Sequence, residues 1–205
     1  MMIPHLMPDL PAGQREALAQ NVKTPIVYTN VLVRNWRAWA DLKVHAISAP
    51  MSFHSGVQLD FPVSLGNYRH PRESSEPMLL HLVHVAGAPN RGLTAREQFR
   101  IGQGLLLQMT FADFEARIRD ELDRMLGAGG FSAARDIAAI TVNRWPHGYG
   151  YVENSLFDAD GYGAVLERAR QRAGRVAIAN SDAGGDAYAH LAIDQAARAV
   201  RELVG

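Results

Sequence analysis

The chain has 205 residues, 47% of them hydrophobic, and its 21 basic side chains are balanced by 21 acidic ones. That length and apolar share suit one large or two small globular domains with a sizeable core. Zero net charge argues against a polybasic nucleic-acid binder, which needs a positive footprint to neutralise phosphates. Cysteine is absent, which excludes disulfide frameworks, thiolate metal sites and cysteine nucleophiles together.

The apolar runs are short and interrupted, as in Met78 to Ala86 with its two histidines, far below the about 20 residues that a membrane span requires. The first ten residues have neither a basic n-region nor a long apolar h-region, so they do not read as a secretory signal. Nothing in the sequence names a compartment. Arg outnumbers Lys nineteen to two, a composition bias that implies no patch.

In chain order, Pro11 to Gln20 has helical composition, and Thr24-Pro25 breaks it ahead of the β-rich run Ile26-Val27-Tyr28. Trp36 and Trp39, three apart, suit a helical turn, although Val31-Leu32-Val33 before them suits a strand. Two β-leaning stretches follow, Val44 to Ile47 and Val57 to Val63, and Asn67 to Pro77 reads as a polar loop. Met78 to Ala86 is the strongest strand. Its His81 and His84 are three apart and therefore point to opposite faces, whereas a metal pair needs both on one side, so no metal site is expected.

Thr94 with Glu97 has the form of a capping box and opens a helix through about Leu107. Thr110 caps a second helix in which Phe111, Phe114, Ile118, Leu122 and Met125 repeat at helical spacing, Glu115/Arg119 and Asp120/Arg124 pair at i,i+4, and Gly127 ends the run. Asp136 to Trp145 is apolar at successive positions, as in a strand buried on both faces, and Pro146 to Tyr151 then reads as irregular. A helix over Gly163 to Ala173, a strand over Arg175 to Asn180 and a helix over Gly185 to Val204 complete the chain. The last helix has Tyr188, Leu191, Ala192, Ala196, Ala199, Val200 and Leu203 on one face and His190, Asp194, Arg198 and Arg201 on the other.

Two constellations could carry chemistry. In Gly174 to Gly185 a short apolar strand delivers a glycine-bearing turn to a helix start, where free N–H groups and the dipole favour an electron-rich ligand atom. The alternative is an ordinary turn capped by Asp182 or Asp186. In Asn143 to Asn154, three aromatics, a histidine and a carboxylate gather as pocket walls do; such loops also plug cores.

The runs Ile140-Thr141-Val142-Asn143-Arg144-Trp145-Pro146-His147-Gly148-Tyr149 and Gly174 to Gly184, with Ala192-Ile193-Asp194-Gln195-Ala196, resemble the C-terminal part of bacterial FAD-dependent oxidoreductases of the spermidine dehydrogenase type, relatives of the flavin amine oxidases. Pro25 to Trp36 and Leu59 to Gly66 are similar to the same family. Such enzymes hold the ADP half of FAD on a Gly-x-Gly-x-x-Gly turn near their start. The chain contains no such spacing; Gly102/Gly104 and Gly127/Gly129/Gly130 do not fit it. The resemblance therefore implies a C-terminal portion whose partner is an N-terminal FAD-binding half.

It further implies an α/β fold in three segments. Residues 1–23 are a helical lead-in, 24–145 a substrate-side domain with a mixed sheet and flanking helices, and 146–205 a return to the cofactor domain with the last strand and helix of a Rossmann-like fold. It places Asp182, Ala183, Gly184, Asp186 and Tyr188, with His147 and Gly148, on the cofactor. Backbone N–H groups of the turn would face the N1–C2=O edge of the isoalloxazine. Trp145, Tyr149, Tyr151 and Glu153 fall on the side of a small-molecule amine substrate, with Glu153 or Asp60 as the carboxylate for its cationic end. The implied activity is hydride transfer from an amine to FAD; the alternative is a non-catalytic module that binds a small ligand or a partner chain.

Overall fold

The fold is that of a computed structural model, which describes residues 2–154, 156, 158 and 161–205. In chain order the elements are α1 (Ile3–Leu6), α2 (Ala12–Gln20), β1 (Lys23–Val33), α3 (Arg37–Leu42), β2 (Ala46–Ser48), β3 (Gly56–Leu59), β4 (Met78–Val85), α4 (Ala95–Gln108), α5 (Phe111–Leu126), α6 (Ala133–Asp136), β5 (Ile137–Gly150), α7 (Tyr162–Ala169) and α8 (Ala189–Val204). Short 3-10 turns occupy Gly127–Gly129 and Ser181–Gly184. The chain forms two compact units. One consists of residues 26–86 and 104–145, the other of 2–25, 87–103 and 146–205.

The 26–86/104–145 unit is built on a five-stranded sheet of order β2-β3-β4-β1-β5 with helices against it, an α/β arrangement. Its ladders are antiparallel: Asn30 lies opposite His81, Val57 opposite Leu82 and Ile47 opposite Val57. Along β5 the Arg34 N–H donates to Asp136 O, and the Asn143 amide donates to Tyr28 O, so this strand also runs against β1. One face of the sheet presents Val27, Val31, Val57, Leu80 and Leu82, and the buried stripe of α5, Phe114, Ile118, Leu122 and Leu126, packs among them. The four-residue spacing of that stripe makes α5 a core helix. Its N-terminus is closed by Thr110, whose hydroxyl accepts the Asp113 N–H while the Asp113 carboxylate accepts the Thr110 N–H at 2.8 Å.

β5 departs from expectation. Pro146 to Gly150, expected to be irregular, continues the strand, and the strand is not buried on both faces but largely exposed at the sheet edge. An edge strand pairs on one side only, so Pro146 is tolerated there without a donor, and Ile140 and Val142 are the β5 residues that pack against the core cluster from its half-buried positions.

The 2–25/87–103/146–205 unit is mostly helical, with two small apolar clusters. Leu10, Ala17, Leu18 and Ala169 join α2 to α7; Tyr151, Tyr162 and Leu166 form the second. The buried Gln14 amide donates to Ala169 O and, at 2.6 Å, to Gln171 O, which satisfies one carbonyl in the last turn of α7 and one just beyond it. Arg175 to Asn180 is not the expected strand: Gly174 and Arg175 form a turn closed by a single bridge between Ala173 and Val176, and Ala177 to Ala179 have no regular structure. A strand requires a neighbour for its N–H and C=O groups, and no described strand of this unit pairs with it. The following helix starts at Ala189 rather than Gly185, because the chain first makes the 3-10 turn and then passes through Gly185 at φ +81°.

The buried side of α8 also differs from the apolar side expected. Gln195 and Ala199 are buried, and Arg198 bonds Ile178 O, Gln195 and Glu202, whereas Tyr188, Val200 and Leu203 are exposed. No helix among the described residues is long and apolar enough to cross a membrane.

Candidate functional site

The site assembles where the ends of β1 and β5 meet the 3-10 turn. Gly150 ends β5 directly against that turn: a Cβ there would lie 2.8 Å from Asp182 Oδ1, so a larger residue would have to displace that carboxylate. Asp182 is in turn gripped by Lys23, whose Nζ donates to Oδ1 at 2.8 Å and Oδ2 at 2.7 Å. The Asn21 amide donates to the Asp182 carbonyl at 3.4 Å, and the Asn180 side chain accepts the Ala183 N–H at 3.2 Å. Arg170 Nη1 donates to Ala183 O. The turn is therefore fixed from both strands and from α7.

Beside it lies a cavity of about 640 Å³ whose wall includes Lys23, Arg100, Gln103, His147, Asp182 and Ala183, with Leu18, Val22, Leu166 and Ile178 as its apolar part. That volume is within the roughly 300–1,000 Å³ of small-molecule sites. A second hollow of about 600 Å³ is lined by Thr24, Phe99, Tyr149, Gly150, Tyr151, Asp186 and Tyr188. The residues expected on the cofactor and the substrate thus divide differently from expectation: His147, Asp182 and Ala183 share the first space, while Tyr149, Tyr151, Asp186 and Tyr188 share the second. Gly148 and Gly184 line neither. Glu153 is exposed outside both, and Trp145, 55% exposed, belongs to the other unit.

Tyr151 offers little to a ligand. It is 4% exposed, and its hydroxyl donates to Asp158 Oδ2 at 2.5 Å. Burial, reinforced by that carboxylate, pushes the phenol up to about 12. Burial tends to raise the Asp158 carboxyl, but the bonds from the Tyr151 hydroxyl and the Asn154 N–H outweigh it, and the group lies below its ordinary range. The Arg96 guanidinium lies over both the Tyr151 and Tyr162 rings, 4.7 and 4.2 Å from their centroids, while the two rings meet edge to face at 6.0 Å, so one cation makes two cation–π contacts. Burial likewise raises the Tyr162 phenol, whose hydroxyl has no hydrogen-bond partner among the described residues.

Sequence reasoning missed Lys23 and Arg96. A signal for the first existed: in a chain with nineteen arginines, Lys23 is one of two lysines. Its partner lies 159 positions away, beyond any local pattern. Among the described residues no group of three or more His, Asp or Glu side chains is arranged to hold a metal.

No protein-family model matches the chain, and no curated protein matches it. Among solved structures it is similar to an engineered double mutant of putrescine oxidase made to redesign cofactor binding. The TM-score is 0.57 at 14% identity, over 96% of this chain and 38% of that one. At that identity the likeness is one of fold. The chain thus spans well under half the length of the protein it matches, and its α/β fold is the property the two share.

Proposed function

We propose that the chain is the C-terminal portion of a flavin-dependent amine oxidoreductase resembling spermidine dehydrogenase. On this reading residues 24–145 are the substrate side and 146–205 return to the cofactor domain. The observation that carries it is the likeness of fold over 96% of the chain to putrescine oxidase, and the turn at Asp182 with its cavity supports it.

The residues at that turn suit the ring end of FAD. The cavity has an apolar floor for a flat ring, and the Lys23 ammonium sits at its rim as a positive charge for an electron-rich ring edge. Because Lys23 neutralises Asp182, the carboxylate does not repel such an edge. The pyrophosphate end needs a glycine-rich βα turn that this sequence lacks, so the reading assigns it to an N-terminal half. FAD, when bound, accepts the hydride from the carbon beside the amine nitrogen. The chain's part is to bind and orient: Tyr149, half exposed, supplies an aromatic wall that keeps water from a neutral amine.

Equilibrium dialysis of the chain against FAD tests the reading. Binding in the tens of micromolar, about −6 kcal/mol, weakened at least tenfold by Lys23→Ala, is expected. Absence of binding at millimolar FAD overturns it.

A second reading, a non-catalytic module that binds a partner chain, is favoured by α8, whose Ile193, Val200 and Val204 are exposed at helical spacing. Exposed apolar stripes of that kind mark covered surfaces. Purified protein that never acquires flavin absorbance, even with an N-terminal half present, favours this reading.

A further inference from the structure

Strands β3 and β4 are antiparallel neighbours, which a loop of about 2–5 residues would join. The chain instead devotes residues 60–77 to the connection, and connections of that length without regular structure are uncommon and usually functional. Both ends of this one are fastened. At its start the Asp60 N–H donates to Leu79 O, and one Asp60 carboxylate oxygen takes the Phe61 N–H and the His81 ring. At its end Glu76 Oε2 accepts the Arg72 and Glu73 N–H groups at 2.7 and 2.9 Å, and Ser74 O accepts the Trp36 N–H. Between these ends the tip closes on itself: the His70 N–H donates to Ser64 Oγ at 3.1 Å, and the Tyr68 N–H donates to Leu65 O across Gly66, whose φ is +59°.

The fastened tip is apolar on every side. Phe61, Val63, Leu65 and Tyr68 are 66, 60, 80 and 48% exposed, and each residue from 61 to 69 is exposed at odd and even positions alike. None of them lines either cavity described above. A folded partner meets one face of a loop and leaves the other apolar side chains in water, whereas a fluid hydrocarbon phase receives side chains that radiate in all directions. The charge of the tip agrees with that phase. From Phe61 to Arg72 there is no acidic residue, and Arg69, His70 and Arg72 follow directly on the apolar stretch. Arg69 is exposed and has no ion-pair partner among the described residues. The acids that flank the tip, Asp60, Glu73 and Glu76, stand at its two fastened ends, where Asp60 and Glu76 are engaged by the bonds given above. In a chain of zero net charge, the result is a local positive cluster beside an exposed apolar tip.

We propose that residues 61–72 are a membrane-surface anchor whose Phe61, Val63 and Leu65 side chains enter the apolar layer of an anionic lipid bilayer. Tyr68 lies at the boundary, with its ring against hydrocarbon and its hydroxyl in water. Arg69 and Arg72 meet the lipid phosphates, to which a guanidinium donates two parallel N–H groups. Apolar burial supplies the attachment and the arginines supply the preference for anionic lipid; stable attachment to a surface takes two such signals. The bonds at the two ends and across the tip hold the loop in its inserting form before it meets the surface, so little ordering remains to be done there. The inference goes beyond the flavin reading and does not depend on it.

Flotation of the full chain with lipid vesicles tests the anchor. Binding to equimolar phosphatidylcholine and phosphatidylglycerol is expected, with severalfold weaker binding to phosphatidylcholine alone. The double substitution Phe61→Ser with Leu65→Ser lowers binding at least tenfold on either vesicle. Arg69→Gln lowers it about fivefold, and on the mixed vesicle only. Because the chain has no cysteine, Leu65→Cys accepts a single environment-sensitive dye. Its emission shifts to the blue on the mixed vesicle and is quenched by nitroxide-labelled acyl chains. The same dye on Met51→Cys, a fully exposed position before the other end of β3, shows neither effect. No flotation with the mixed vesicle, unchanged binding in the double variant, or equal dye responses at positions 51 and 65 overturns the proposal. So does self-association that the double variant abolishes and vesicles leave intact, a result that makes the loop an interface between copies of the chain. None of these measurements involves FAD, so failure of the anchor leaves the flavin reading standing, and failure of FAD dialysis leaves the anchor standing.

Discussion

Glu121 on α5 holds the turn before β3 through His54. Its Oε2 lies 2.7 Å from His54 Nδ1 with both side chains almost fully buried, at 3% and 0% exposure. The same carboxylate accepts the Phe53 N–H at 2.6 Å and the His54 N–H at 3.3 Å. Burial tends to raise the Glu121 carboxyl, yet the bonds from the His54 ring and the two backbone amides outweigh it and hold the group below its ordinary range. Glu121→Ala leaves a buried imidazole and two amides without an acceptor, and a loss of about 3–5 kcal/mol in urea unfolding is expected. A loss below about 1 kcal/mol shows that water replaces the carboxylate there.

His84 shares this neighbourhood and sets a second pH dependence. It stacks on Phe53 at 3.7 Å between centroids and its Nδ1–H donates to Phe53 O. Burial, with the smaller opposing effect of that bond, lowers it from 6.5 to about 4. The unfolded chain takes up this proton as pH falls through 6.5, the folded one only near 4, so stability declines across that window by up to about 3 kcal/mol. Glu121 contributes separately: a lowered carboxyl stabilises above its ordinary value of 4.5 and loses that contribution as pH falls below it. Urea midpoints of His84→Phe measured from pH 7 to 4 are expected to be nearly flat down to about 4.5, where the Glu121 decline begins; an unchanged slope above 5 rejects the assignment to His84.

The two adjacent glycines of the turn have different reasons. Gly185 has φ +81°, and a Cβ on it would lie 2.4 Å from Leu166 Cδ1. A Cβ on Gly184 would meet only ordinary contacts, 3.5 Å from Leu191 Cδ2 and Gln195 Nε2. Gly185→Ala is therefore expected to cost about 1–3 kcal/mol, while Gly184→Ala leaves the melting temperature nearly unchanged. Equal effects of the two substitutions in a thermal scan contradict this geometry.

Tyr151, with its hydroxyl on Asp158, acts as a structural residue. Tyr151→Phe removes one charge-assisted bond and is expected to cost about 1.5–3 kcal/mol while leaving FAD affinity unchanged. Since the folded phenol is raised to about 12 from 10, its stabilisation is complete below pH 10 and declines as pH rises from there toward 12. Ultraviolet titration should show this tyrosine ionising last, together with unfolding; a substrate-wall role is recovered only if Tyr151→Phe alters ligand binding with stability intact.

What the sequence by itself determined is local. The caps at Thr94 and Thr110, the α5 stripe and the opposed faces of His81 and His84 were legible because each depends on residues within a turn or a strand pair of one another, where backbone geometry imposes the spacing. Sequence resemblance also pointed to the α/β fold class. Tertiary structure alone decided the rest. Composition could not say that the apolar run of β5 lies at a sheet edge, since burial depends on which strands stand beside it. Nor could it say that Arg175 to Asn180 finds no pairing strand among the described residues, or that α8 buries Gln195 and Ala199 and leaves Val200 outside. The long-range side-chain pairs, Lys23 with Asp182, Glu121 with His54 and His81 with Asp60, join positions 159, 67 and 21 apart. No backbone period links such positions, and only the closing of the sheet and the packing of its helices bring those side chains together.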